Sequence, residues 1–73
     1  MIKIKANGRK IAKIRITQGL LGSSFAKLVG VSKQTIYTIE KNTVNPGPVV
    51  ARKIADVLHT DYEELFEVIE VGE

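Results

Sequence analysis

Residues 23–40 constrain the fold of this chain more than any other segment. Apolar side chains recur there at the three- and four-residue spacing of a helix face, first at Phe25, Leu28 and Val29 with small Ala26, and again at Ile36 and Ile39. Gly30 stands between the two halves, where a glycine can adopt the left-handed conformation that ends a helix. Ser32 can then accept a backbone N–H at the start of the next helix. The segment therefore predicts two short helices joined by a tight turn, a helix-turn-helix.

The size and composition of the chain limit the alternatives. Its 73 residues allow one small domain, and it has no cysteine to supply a disulfide or a thiolate metal site. We therefore expect an all-α fold in which one domain covers residues 1–73, with an aliphatic helical core over about residues 8–66. No apolar run approaches the ~18 residues that a membrane crossing needs, and the charged N-terminus lacks the apolar core of a secretory signal. We expect a cytoplasmic protein without a cofactor.

The charges are divided unevenly along the chain. Residues 1–53 contain all eleven lysines and arginines and a single acid, Glu40, whereas residues 54–73 contain seven acids and no basic residue. A basic region around the second helix of the motif fits a polyanionic partner, because neutralising phosphates releases condensed counterions. The acidic end would then face away from that partner, or it is simply solvated.

The second helix of the motif is expected to expose a face suited to reading bases. That face carries Lys33, Gln34, Tyr37 and Thr38, while Ile36 and Ile39 point inward. Lysine can reach guanine, glutamine can pair with adenine through two hydrogen bonds, and hydroxyl groups can donate to either base. Surface helices are polar in general, but a helix of this kind that follows a tight turn favours contact with the major groove.

Several short motifs follow one another in a recognisable order. They are Arg15 with Gly19-Leu20, Phe25-Ala26, Gly30-Val31-Ser32, Ile36 with Glu40, Pro46, Ile54-Ala55 with Leu58, and Glu64-Leu65-Phe66. Together they make residues 8–66 resemble the Cro and phage-repressor type (XRE-like) helix-turn-helix domain. The resemblance implies a compact five-helix domain and a bacterial or phage transcriptional regulator, in particular a repressor. It also implies a homodimer on palindromic half-sites of double-stranded DNA, with a recognition helix over about residues 33–41.

The same resemblance assigns roles to residues around the recognition helix. In the family the loop after this helix runs along the DNA backbone, which implies phosphate contacts for Lys41, Asn42 and Thr43, together with Ser32 at the helix start. The resemblance also implies that Arg15 pairs with Glu40 at the end of the recognition helix. In that position Arg15 fixes the orientation of the helices, the alternative being that it touches DNA.

The first helix of the motif departs from the family pattern. The family usually has a serine or threonine cap followed by glutamine, where this chain has Leu21 and Gly22. If Gly22 is the cap, the backbone N–H groups and the hydroxyls of Ser23 and Ser24 can bind a phosphate at the positive end of the helix dipole. The alternative is that the two serines only cap the helix.

The boundaries of two further helices follow from glycine and proline. Helix 1 is expected over residues 8–18 and is ended by Gly19. Helix 4 is expected to use Gly47 as its cap and Pro48 as its first residue, because proline is preferred at that position. Val49 is the first of several apolar residues expected on its buried face.

The remaining polar residues predict no catalytic or metal site. His59, the single histidine, is expected in a surface loop at the end of helix 4, and it lacks the further ligands that a metal needs. Thr60 and Glu63 are spaced as a capping box at the start of helix 5. Since no serine has a positioned base near it in the pattern, we expect no enzyme activity.

The two ends of the chain have the alternating pattern of strands. Residues 1–5 alternate apolar and basic side chains, and residues 66–71 are rich in β-forming residues with Glu67 and Glu70 among them. Lysines on one strand can face glutamates on the other. The strands are expected to pair within one chain, or between two chains as a dimer interface.

A function of another class also fits the charge pattern. The acidic segment of residues 56–73 could bind and mask a basic protein, as in an antitoxin or an adaptor. The missing glutamine in the first helix of the motif favours this alternative, whereas the basic recognition helix favours DNA.

Overall fold

The computed structural model describes residues 1–72, and Glu73 lies outside the described residues. Five helices and two strands follow one another along the chain: β1 (Ile2–Ala6), α1 (Gly8–Thr17), α2 (Gly22–Val29), α3 (Lys33–Glu40), α4 (Pro48–Val57), α5 (Tyr62–Leu65) and β2 (Phe66–Glu70). The prediction of a five-helix fold with short strands at both termini is confirmed. Among residues 1–72, no helix combines the length and apolar character that a membrane crossing requires.

The turn between α2 and α3 has the predicted geometry. Gly30 is left-handed, with φ 90° and ψ 29°, and its N–H donates to the carbonyl of Ala26. Ser32 caps α3, because its hydroxyl oxygen accepts the N–H of Thr35 at 3.1 Å. These two local interactions fix the chain direction between the helices, and the helix-turn-helix prediction is confirmed.

The first and fourth helices begin where the sequence predicts. The side chain of Asn7 caps α1 by accepting the N–H of Lys10, and Gly19 follows the end of α1 with φ +76°. Gly47 is the N-cap of α4 and Pro48 is its first residue. Both starts depend on residues within one helical turn, which is why the sequence shows them.

The predicted capping box of α5 is wrong. Asp61, not Thr60, occupies the N-cap, and no side chain caps the helix. The hydroxyl of Thr60 instead donates to the carbonyl of Leu58 at 3.0 Å, so it completes the end of α4. His59 lies between these helices with φ +52° and an exposed side chain. With four residues, α5 is a single turn between α4 and β2.

The core is aliphatic with two phenylalanines. Its buried residues are Ala6, Ile11, Phe25, Ala26, Val29, Ile36, Ile39, Ala51, Ile54, Ala55, Leu58, Leu65 and Phe66. Two residues predicted to face inward do not, since Leu28 is 58% exposed and Val49 is 69% exposed. Successive residues of a helix turn by about 100°, which places Leu28 to one side of the buried stripe of α2 and Val49 opposite the buried stripe of α4.

The terminal strands form a two-stranded antiparallel sheet within the chain. The register pairs Ile4 with Val68 and Lys5 with Glu67. Ala6 and Phe66 are buried and join one end of the sheet to the helices, and the sheet is closed at its other end where the N–H of Val71 donates to the carbonyl of Met1. Of the two pairings that the sequence allowed, the structure has the one within the chain.

Candidate nucleic-acid interface

One face of α3 is open to solvent and carries most of the predicted base-reading residues. Lys33 and Gln34 are exposed at the first turn, and Tyr37 lies one turn later on the same side. The Lys33 ammonium nitrogen is 5.6 Å from the centre of the Tyr37 ring, close enough for a cation–π attraction. Ile36 and Ile39, on the other side of the helix, are fully buried. The helix therefore presents a cationic, hydrogen-bonding face while its apolar face is held in the core.

Thr38 differs from the expectation of an exposed donor. It is half-buried, and its hydroxyl donates to the carbonyl of Thr35 at 2.8 Å. A threonine in a helix commonly satisfies its hydroxyl in this way, because a carbonyl of the preceding turn is within reach. The Thr38 hydroxyl can still accept a hydrogen bond from a base, but its proton is already used.

The end of α3 is shaped by a left-handed asparagine. Asn42 has φ +60°, and its N–H donates to the carbonyl of Ile39, while the N–H of Thr43 donates to the carbonyl of Thr38. Two such bonds around one left-handed residue close a helix as a Schellman motif does. The chain then turns away from the axis of α3 and leaves Lys41 exposed at the turn.

The side chain of Asn42 links α3 to α1. Its Oδ1 accepts the N–H of Gly8 at 3.0 Å, across 34 residues of sequence. Thr43 is similarly occupied, because its hydroxyl donates to the carbonyl of Thr38 at 3.0 Å. Of the three loop residues predicted to contact phosphate, Thr43 has its side-chain donor engaged in a structural hydrogen bond, whereas the Lys41 ammonium group donates no hydrogen bond within the described residues. Asn42 retains its NH₂ group for that role.

Gly8 permits the closest approach between the two helices. A Cβ atom at this position would lie 2.3 Å from the carbonyl oxygen of Glu40 and 2.5 Å from that of Ile39. Both neighbours are backbone atoms at the end of α3, so they cannot rotate away as a flexible side chain would. The beginning of α1 therefore sets the position of the end of α3.

Arg15 and Glu40 make a second link between α1 and α3. The Arg15 Nε lies 2.7 Å from Glu40 Oε2, and a second guanidinium nitrogen donates to Oε1 at 3.2 Å. The remaining nitrogen donates to the carbonyl of Leu20, and the two side chains are only 11% and 9% exposed. The guanidinium thus links α1 both to the end of α3 and to the backbone at Leu20.

The first turn of α2 lies against α3 through Gly22 and Tyr37. A Cβ atom on Gly22 would lie 3.1 Å from Tyr37 Cε1 and 3.3 Å from its hydroxyl oxygen. The tyrosine ring therefore covers the helix start, in the region where the family usually places glutamine. This contact is not visible in the sequence, because it joins residues from two helices and depends on a missing side chain.

Ser23 and Ser24 lie inside α2 and do not cap it. The helix begins at Gly22 with Leu21 as its N-cap, and no side chain accepts a hydrogen bond from the first turn. The expectation that Gly22 is the cap is wrong by one residue, and the alternative role of the serines as caps is wrong as well. Both serines are exposed in the first turn, where backbone N–H groups lack partners within the helix.

Opposite charges also meet away from the exposed face of α3. Lys10 of α1 forms an ion pair with Glu64 of α5. The hydrogen bond from Lys10, and then its positive charge, lower the pKa of the Glu64 carboxyl group from its usual value. One of the acids in the C-terminal part of the chain is thus engaged with α1.

Comparison with known proteins assigns the family. A family model described as helix-turn-helix matches residues 11–65. The chain belongs to the helix-turn-helix family. This agrees with the resemblance to Cro and phage-repressor type domains drawn from the sequence.

Relatives and solved structures are consistent with this assignment. An uncharacterised HTH-type transcriptional regulator of Archaeoglobus fulgidus is 39% identical over 57 residues, which cover 78% of this chain and 81% of that protein. One from Methanocaldococcus jannaschii is 37% identical over 57 residues, or 78% of this chain and 86% of that protein.

Two solved structures share the fold. The restriction-modification controller protein C.AhdI from Aeromonas hydrophila superimposes with a TM-score of 0.74 at 24% identity, covering 78% of this chain and 86% of its own. The transcriptional regulator VanUg has a TM-score of 0.69 at 25% identity and covers 94% of this chain and 91% of its own. The likeness to VanUg therefore extends over more of this helix-turn-helix chain than the likeness to C.AhdI.

Proposed function

We propose that this helix-turn-helix protein is a transcriptional repressor that binds double-stranded DNA sequence-specifically, with α3 in the major groove. The observation that carries the proposal is the presentation of α3. Its Lys33, Gln34 and Tyr37 face is open, while Arg15 and Gly8 of α1 hold its far end in place. A helix that reads bases must be held rigidly, because base recognition depends on hydrogen bonds of fixed direction.

In this proposal the first turn of α3 reads base edges. Lys33 and Gln34 lie at its N-terminal end, which enters the groove first in helix-turn-helix complexes. Tyr37 lies at the groove edge, where its ring also supports the start of α2. Thr38 contributes as an acceptor only, since its proton is directed to Thr35.

Phosphate contacts are proposed on both sides of this helix. On one side lie the exposed Ser23 and Ser24 in the first turn of α2, and Ser32 at the start of α3. On the other side lies Lys41, with Asn42 and Thr43 next to it. Such contacts position a protein on the duplex and carry no sequence information themselves.

The assembly proposed is one domain over residues 1–73 that acts as a homodimer. A single recognition helix of eight residues reads only a few base pairs. Two copies on a palindromic site, with half-sites about one DNA turn apart, would double the contacts and add specificity.

The test is selection of bound sites from random duplexes at two salt concentrations, followed by two variants. Gln34→Ala should cost ~1–3 kcal/mol of binding free energy and relax preference at one base position. Lys41→Ala should weaken binding to all sequences alike and reduce the slope of the salt dependence by about 1. The two variants serve as controls for each other.

Two outcomes would contradict this proposal. Equal losses on selected and random DNA for Gln34→Ala would remove its base-reading role. Selection without any enriched motif would favour the other candidate, a protein partner bound by the acidic segment. Asp56, Asp61 and Glu63 are exposed in that segment and could meet a basic surface.

A further inference from the structure

The terminal sheet, β1 with β2, exposes apolar side chains at the end away from the helices. Ile2, Ile4 and Ala6 share one face with Phe66, Val68 and Glu70, because paired residues of an antiparallel sheet lie on the same side. Ala6 and Phe66 are buried, but Ile2 is 69% exposed and Val68 is 57% exposed. Within residues 1–72 the sheet has two strands, and a two-stranded sheet depends on packing against helices or further strands, which only its Ala6–Phe66 end has.

The hydrogen bonds of the sheet show which backbone groups point outward. The N–H of Val71 donates to Met1 and the N–H of Asn7 donates to Leu65, which makes these the hydrogen-bonded pairs of the ladder. Since such pairs alternate with non-bonded ones, Lys3 and Lys5 bond to the facing strand, whereas Ile2 and Ile4 do not. On β2 the outward groups are those of Val68 and Glu70. Each strand thus offers an open edge to a further strand.

The open edges of β1 and β2 differ in whether each strand can pair with the same strand of a second copy. Two β1 strands can pair in an antiparallel arrangement about a two-fold axis centred on residue 3, 4 or 5 if at least three residues are paired. Each of these registers sets a lysine opposite a lysine: Lys3 opposite Lys3, Lys3 opposite Lys5, or Lys5 opposite Lys5. Like charges directly opposite destabilise a sheet, so β1 is protected from pairing with itself.

The β2 edge has no such conflict. A register centred on Val68 sets Glu67 opposite Ile69 and Glu70 opposite Phe66. A register centred on Ile69 sets Val68 opposite Glu70. In both, no glutamate faces a glutamate, and the outward backbone groups of Val68 bond to the second copy.

We infer that a second copy of this chain docks along the β2 edge, in an antiparallel four-stranded sheet that continues through both chains. Because a two-fold axis relates the two β2 strands, the assembly closes as a dimer and leaves the lysine-bearing β1 strands outermost. The exposed Val68 side chains then meet across the axis. The inference names the partner surface of the proposed homodimer, and it rests on that part of the proposed function.

The test replaces an outward N–H with a proline. Val68→Pro removes the outward donor of β2 but no hydrogen bond to β1, and the matched control Ile2→Pro does the same on β1. Sedimentation equilibrium without DNA should show that Val68→Pro weakens dimerisation about 30-fold, as the loss of two symmetric hydrogen bonds implies, and that Ile2→Pro leaves it unchanged. Amide exchange should also show concentration-dependent protection of Val68 that is absent at Ile2.

Other results would overturn the inference. Equal dimerisation of Val68→Pro and the unaltered protein would do so, provided that protected Lys3 and Lys5 amides show the two-stranded sheet intact. Species that grow beyond a dimer with concentration would indicate head-to-tail pairing of β1 with β2 instead. If the unaltered protein binds no DNA and Val68→Pro is still monomeric, the proposed function fails and the interface stands.

Discussion

Replacing Gly8 by alanine tests the link between α1 and α3. The new Cβ would lie 2.3 Å from a backbone carbonyl of Glu40, and it must move about 1 Å to reach an ordinary contact distance. Overpacking of this kind costs about 1–3 kcal/mol. Movement of Gly8 also stretches its 3.0 Å bond to Asn42, which contributes about 1 kcal/mol.

One effect opposes these losses. Alanine restricts the unfolded chain more than glycine does, which stabilises the folded state by about 0.4–1 kcal/mol. The net expectation is a loss of about 2–3 kcal/mol in the free energy of unfolding. For a domain of this size the melting temperature should fall by about 10–20 °C.

The assay is urea unfolding followed by fluorescence of the tyrosines or by circular dichroism. Gly72→Ala is the control, because a Cβ there has nothing within 4 Å. Gly8→Ala with unchanged or increased stability would refute the conclusion that backbone contact with Glu40 requires glycine. A loss equal to that of the Gly72 variant would refute it equally.

Three further predictions concern neighbouring contacts. Asn42→Gly keeps the left-handed backbone and should lower the free energy of unfolding by about 1 kcal/mol, because the hydrogen bond to Gly8 is lost. Asn42→Ala adds backbone strain and should lower it by about 2–3 kcal/mol in urea unfolding. Equal losses for the two variants would contradict the role of the positive φ at this position. Gly22→Ala should displace the Tyr37 ring by a few tenths of an ångström and weaken DNA binding by about tenfold, with stability within about 1 kcal/mol of the unaltered protein; unchanged affinity would separate the ring from DNA recognition. Because Lys10 lowers the pKa of Glu64 in the folded state, the ion pair stabilises the fold at pH values above the unfolded-state pKa near 4.5. This stabilisation is lost as the pH falls through the lower folded-state pKa. The difference in melting temperature between the unaltered protein and Glu64→Gln should therefore shrink in acid, and a difference that stays constant with pH would count against the pair.

The sequence predicted those features that depend on neighbours within one helical turn. Gly30, Ser32 and Pro48 act through their own backbone or the next few N–H groups, and all three were placed correctly. Thr60 shows how such a signal fails. Its hydroxyl had two backbone partners within reach, and the carbonyl at the end of α4 competed successfully with the N–H groups of α5.

The geometry of the candidate interface was harder to predict, because it depends on residues far apart in sequence. Nothing near Gly8 indicates that a carbonyl of Glu40 will lie against it. In the sequence Asn42 is indistinguishable from any polar loop residue, and its hydrogen bond to Gly8 appears only in the structure. The contact of the Tyr37 ring with Gly22 likewise appears only in the packing of the two helices. Residue chemistry indicated which side chains face solvent on α3, whereas the hydrogen bonds and packing of the folded chain decided which of them are already occupied.

The pairing of β1 with β2 has a consequence for how the chain folds. It is the contact of highest sequence separation, since Met1 bonds to Val71, and it adds contact order to an otherwise local helical fold. During synthesis β1 leaves the ribosome first, yet its partner strand emerges only after all five helices. We therefore expect the strands to join late, with low φ-values for Ile4 and Val68, around helices that have already formed. Until then Lys3 and Lys5 disfavour pairing of β1 with the β1 strand of another nascent chain.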